Sequence, residues 1–182
     1  KRYDATERYN ESWVTKDYYF TGGPYYRVLE KKTTLIQNDI AEWILKLYRT
    51  ILELRPEKTE LPKFLAEAGS MRFAFLLDFG SFRDIQRHRA VIQRMPLLTS
   101  EFGMEEWYLE QPPPELREKL ETVVESQIKR IKNLNVSPEI QQYYMPMGMR
   151  VPCRLTGDLP SLTYLVELRS GIAVHPTLRK VA

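Results

Sequence analysis

The chain has little of what most catalytic sites are made from. It contains one cysteine, Cys153, and two histidines, His88 and His175, in 182 residues. One thiol excludes an internal disulfide. One Cys with two His falls short of a zinc site of ordinary ligand spacing, so no metal is expected. Two imidazoles also leave little room for a hydrolase that needs His as its base. Chemistry is therefore expected from a cofactor, from carboxylates or from arginines. No apolar run reaches the ~18 residues of a membrane-spanning helix. No segment reads as a signal peptide, and a lone Cys suits a reducing compartment; the expectation is a cytoplasmic protein with no membrane partner. The net charge of +3 is too small to imply nucleic acid, and no nucleic-acid partner is expected. Neither the dinucleotide fingerprint nor the P-loop pattern occurs. No internal repeat is visible.

What is present suits one folded domain. Hydrophobic residues make up 43% and charged residues 28%, and a chain of this size buries roughly 70% of its extended surface without a staple. The termini lead to the expectation of one domain of a longer protein. Residues 1–30 concentrate tyrosine (Tyr3, Tyr9, Tyr18, Tyr19, Tyr25, Tyr26) with Trp13 and Phe20. They read as an aromatic arm on a domain spanning 31–182.

Apolar residues from Leu35 to Leu54 recur at three and four positions, which predicts a core-facing helix over 35–55, ended by Pro56. Residues 71–78 read as a strand. Ser81 and Asp84 resemble a capping box, so a helix is expected to start near Phe82 and run on to Pro96. A second long helix is predicted over 115–132, with Leu116, Leu120, Val123, Val124, Ile128 and Ile131 buried. Residues 149–155 alternate, with Met149, Val151, Cys153 and Leu155 on one face, and Pro152 suggests an edge strand or a bulge. Thr156-Gly157-Asp158 reads as a turn. Asp158 is placed to cap a helix that buries Leu162, Leu165, Val166 and Leu168, and Pro176 starts a last helix.

Arg83, Arg87, His88, Arg89 and Arg94 cluster after the first strand. On the expected helix Arg83, Arg87 and Arg94 share a side. Guanidinium forks suit phosphate and carboxylate, whereas a basic run is more commonly a solvated face. Neighbouring arginines oppose protonation of His88, and Asp84, four residues earlier, is placed to orient it.

The segment Phe82-Arg-Asp-Ile-Gln86-Arg87-His88-Arg89 resembles the first signature of the flavin-dependent thymidylate synthases, built around Arg-His-Arg. Leu162-Thr-Tyr-Leu-Val-Glu-Leu168-Arg169, followed by His175 and Leu178-Arg179, is similar to the second signature. Tyr144-Met145-Pro146 resembles the Leu-Pro that precedes it. The three matches fall in the family's order over residues 70–182. The resemblance implies an α/β fold of the α+β type, an antiparallel sheet packed with helices, assembled as a homotetramer or homodimer. It implies FAD as cofactor, dUMP as nucleotide substrate, a folate as one-carbon donor and NADPH as reductant, giving dTMP. Arg87, His88 and Arg89 match the flavin-binding triplet, and Arg169 matches the arginine that holds the pyrimidine at the catalytic centre. Arg83, Gln86, Arg150 and His175 are further lining candidates, with a structural role preferred for His175. Ile92, Arg94, Leu97, Thr99 and Ser100 stand where the family places Ser, Asn, Ser, Arg and Tyr. Those replacements raise a second expectation: a diverged homologue that binds another flavin or nucleotide ligand, or that serves as the non-catalytic half of a longer chain.

Overall fold

Two nine-residue strands, Ser70–Asp78 (β2) and Arg150–Asp158 (β4), form the centre of the computed structural model, which describes residues 33–182; the Tyr-rich arm lies outside the described residues. Thr34–Asn38 (β1) and the short Ile92–Arg94 (β3) flank them, giving one antiparallel sheet in the order β1-β2-β4-β3. The described residues are therefore α+β, a four-stranded antiparallel sheet packed with helices. Period-two alternation sends Phe75 and Leu77 of β2, and Val151, Cys153 and Leu155 of β4, to one face. There they join Phe82, Ile85, Leu162, Leu165 and Leu178 in the core. Cys153 is fully buried, and burial, followed by Asp78, pushes its thiol well up, as suits an inert packing residue.

β2 and β4 pair without a slip from Ser70 opposite Asp158 to Asp78 opposite Arg150. Each runs directly into a helix, Phe79–Ile85 (α3) and Leu159–Arg169 (α7). Each helix is capped by the last strand residue: Asp78 accepts from the Ser81 amide and Asp158 from the Ser161 amide, both at 2.8 Å. A local two-fold thus relates the two strand–helix units, matching Asp78 with Asp158, Ser81 with Ser161, Phe82 with Leu162 and Ile85 with Leu165. This repeat escapes the sequence because it preserves apolar positions and caps, and few identities.

Other elements depart from the sequence reading. The expected helix over 35–55 is split into β1 and two short helices, Glu42–Leu47 (α1) and Arg49–Leu54 (α2). Its apolar stripe is not core: Trp43, Leu47 and Leu54 are 67%, 64% and 75% exposed, and only Ile44 is buried. An Arg55–Glu167 ion pair ties the end of α2 to α7 and holds the Glu167 carboxyl below the usual carboxylate range.

The helices Glu106–Glu110 (α4), Pro114–Lys132 (α5) and Pro138–Gln141 (α6) follow. α5 forms as expected, yet Leu116 and Val123 are exposed and only Ile131 is fully buried. Residues 156–158 continue β4 rather than turning. β4 is a central strand, not an edge. Pro152 is tolerated because β3 pairs with β4 only as far as Arg154, leaving Pro152 opposite Leu76 alone among the described residues. Val166 and Leu168 of α7 are exposed, not buried. Pro176–Val181 (α8) closes the chain as expected.

Candidate functional site

α3 ends at Ile85, well short of Pro96, because long-range partners take its terminal carbonyls. The side-chain amide of Gln93, on β3, donates to the Ile85 carbonyl at 2.8 Å and to the His88 carbonyl at 2.6 Å. Arg169, in the last turn of α7, donates through Nη2 to the Asp84 carbonyl at 2.9 Å. The C-terminal ends of the two related helices meet here. Cations complement the negative ends of helix dipoles, which makes arginine a stable occupant.

The triplet Arg87-His88-Arg89 therefore lies on a tight turn after α3. Arg169 Nε donates to His88 Nε2 at 2.9 Å across 81 positions of sequence. Accepting that bond fixes the imidazole as the neutral tautomer with its proton on Nδ1. Burial, and then Arg169, holds the His88 pKa below its ordinary value; Asp84 opposes them. The Tyr164 ring sits edge-on to the imidazole at 5.9 Å. Arg87, His88, Arg89, Ser161, Tyr164 and Arg169 line a single groove of about 320 Å³. Arg169 spends two of its five N–H donors on the protein and brings further donors to this groove. The arrangement presents three guanidinium groups and one uncharged imidazole to a ligand, a combination that binds a planar or phosphorylated anion without a fourth charge.

The four principal candidates thus converge, and the others do not join them. Arg83 is exposed on α3, and Arg94, on β3, belongs to the opposite sheet face, so Arg83, Arg87 and Arg94 do not share a helix side. Asp84 does not orient His88 by a hydrogen bond. Its carboxylate lies 3.5 Å from the exposed Arg87, and its carbonyl holds Arg169. Gln86 lines a separate hollow with Phe79, Phe82 and Gln142. Arg150 donates to the Phe102 carbonyl at 2.7 Å and pairs with Glu106. His175 stacks on Tyr108, and its Nδ1 lies 2.8 Å from Thr177 Oγ1, which meets Ser81 Oγ at 2.7 Å. That chain of contacts docks α8 on α3, a structural role. Tyr108 also donates to the buried Asp78 at 3.2 Å, and burial with that carboxylate pushes its hydroxyl up to about 12.

Sequence reasoning missed Tyr164, Ser161 and Gln93. Tyr164 and Ser161 share the second signature's helix with Arg169, five and eight residues before it, and the three-residue spacing between them places them side by side. Gln93 acts through a turn that no local pattern announces.

The His88 tautomer has a pH signature. Its folded-state pKa is lowered, so the unfolded chain binds the proton first. Stability should be constant above about pH 7 and should fall as pH drops through the unfolded value near 6.5 toward the folded value. Urea midpoints from pH 8 to 5 should show that loss in the wild type and a shallower one in His88→Gln, which keeps an acceptor and does not titrate. Equal slopes would remove His88 as the cause.

No protein-family model matches the chain. It is similar to a UPF0159 protein of Thermoplasma acidophilum, with 32% identity over 145 residues, 78% of this chain and 28% of that protein. It is also similar to UPF0159 proteins of Chlamydia muridarum, 31% identical over 119 residues, and Chlamydia pneumoniae, 31% identical over 127 residues, each covering 64% of this chain and 22% of the relative. The chain spans less than a third of the length of these relatives.

Proposed function

We propose that the groove between α3 and α7 is a flavin site, and that the chain is a flavin-dependent thymidylate synthase-type protein acting on dUMP with a folate and NADPH. The observation that carries this reading is the hydrogen bond from Arg169 to His88. It joins one residue from each of two segments that resemble separate signatures of that family. In the groove Arg87, Arg89 and Arg169 would hold FAD phosphate or ring oxygens, and neutral His88 would donate from Nδ1. Bound flavin supplies the hydride chemistry that protein side chains lack. At about 320 Å³ the groove is at the small end for ligand pockets and fits one portion of FAD, the remainder extending past its rim. Tyr164 and Leu168, which line the groove, are 46% and 47% exposed. Apolar surface at a charged groove supports self-association that encloses the ligand, in the homodimer or homotetramer that this reading carries with it.

Two positions favour the second reading, a diverged homologue. Leu97, where the family has Ser, is 5% exposed in the core, and Ile92, where it has another Ser, is 62% exposed. Neither side chain accepts or donates a hydrogen bond to a nucleotide. Tritium release from dUMP labelled at C5, assayed with FAD, methylene-tetrahydrofolate and NADPH, separates the two. Release that depends on all three supports the synthase. FAD binding without release supports the diverged homologue.

A further inference from the structure

We propose that Arg72, Arg94 and Arg154 form a second anion site, for a phosphate group, on the face of the sheet opposite the helices. Phe73, Phe75 and Leu155 point toward the helix layer, so alternation turns Arg72, Arg154 and Thr156 the other way. On β3 the same alternation divides Gln93, which reaches the His88 turn, from Ile92 and Arg94. These five residues, Arg72, Ile92, Arg94, Arg154 and Thr156, line one hollow of about 280 Å³. None of the described residues lining it is acidic.

The strand register makes this hollow unusual. Arg94 stands directly opposite Arg154, and Arg72 directly opposite Thr156 on the neighbouring pair. Arg94 and Arg154 occupy one of the three registered pairs that hold β3 to β4, so their guanidinium groups leave the same face of the sheet side by side. Arg72 Nε donates to Thr156 Oγ1 at 3.3 Å, which leaves that hydroxyl's own proton for an incoming oxygen. Arg94 and Arg154 make other contacts as well, and the five donors of a guanidinium serve more than one partner. A dianionic phosphate, with several acceptor oxygens, matches three guanidinium groups and a hydroxyl better than a carboxylate does. Its binding would bridge β3 and β4 through Arg94 and Arg154. Because Gln93 lies between Ile92 and Arg94, the same strand would brace the His88 turn. The assignment does not depend on flavin binding.

Inorganic phosphate, titrated into the 182-residue chain labelled with 15N at constant ionic strength, tests it. The Nε–H signals of Arg72, Arg94 and Arg154 should move saturably, and acetate at matched ionic strength should not reproduce the movement. Arg94→Gln and Arg154→Gln should each weaken phosphate about tenfold or more, read from the remaining Arg72, Arg94 and Arg154 signals, and Lys46→Gln, an exposed residue of α1 outside both pockets, should leave that Kd unchanged. The proposal is overturned by non-saturable movement, by an equal effect of acetate, or by a response confined to Arg87, Arg89 and Arg169. If a glutamine variant fails to fold, the wild-type shifts decide between the same outcomes.

Discussion

Arg169→Met should lower stability by about 2 kcal/mol and FAD affinity at least ~100-fold. Two charge-assisted hydrogen bonds disappear, and the Asp84 carbonyl and His88 Nε2 lose their donor together. The stability figure is held to about 2 kcal/mol because Arg169 is only half-buried, so water replaces part of what is lost. The affinity loss is larger because the substitution also frees the His88 ring and removes a cation from the groove. Arg169→Lys should recover charge without the fork, restoring one bond of two and little of the affinity. Urea denaturation and flavin fluorescence titration read the two effects separately. Full affinity in Arg169→Met would remove the groove as the ligand site.

Gly69→Ala should be the most damaging single-methyl change, at about 3 to 5 kcal/mol. Gly69 has φ +122° and ψ −164°, a region open almost solely to glycine. An added Cβ would lie 2.2 Å from the Asp39 carbonyl oxygen. That oxygen cannot retreat, because Asp39 donates to Ser70 at 2.9 Å and Ala41 to Ala68 at 2.7 Å, clamping the two backbones together. Gly103→Ala is the control. There φ is +69°, and the nearest atom is the mobile end of Arg150 at 3.5 Å, so the cost should be only about 1 kcal/mol. Thermal unfolding of both variants checks the contrast. Similar losses would mean that positive φ alone, and not the contact with Asp39, sets the cost.

Sequence reading succeeds where one short-range rule dominates. Alternation locates Met149 to Leu155. A charge gradient with an N-terminal proline locates α5. Asp158 marks the start of α7, because a carboxylate one residue before a helix has one obvious use. The same reading fails where distant partners decide. Residues 79–94 have local signals for one helix, but Arg169 and Gln93 satisfy the terminal carbonyls of α3, and the chain turns at Ile85. The apolar stripe from Leu35 to Leu54 has helical spacing, yet spacing cannot tell a core face from an exposed one. In the same way, Val166 and Leu168 are apolar positions of α7 that stay at the surface. The local two-fold was invisible because its conserved content is packing.

At the site the balance is different. The triplet and Arg169 were legible one by one, and the structure joins them through the bond between Arg169 and His88. Sequence carries no distance between them, and local sequence points to the neighbouring arginines of the chain as the cause of the His88 shift. In the fold, burial leads and Arg169 follows. The triplet lies on a turn rather than on a helix face, which is why Arg83 and Arg94 fall away from it.

The most direct test is titration of the purified chain into FAD, followed by flavin fluorescence at low salt and again at high salt. Saturable quenching is predicted, weakened by salt because arginines carry the affinity, and lost in Arg169→Met. Flavin fluorescence that stays unchanged with the wild-type chain in excess would contradict the flavin site.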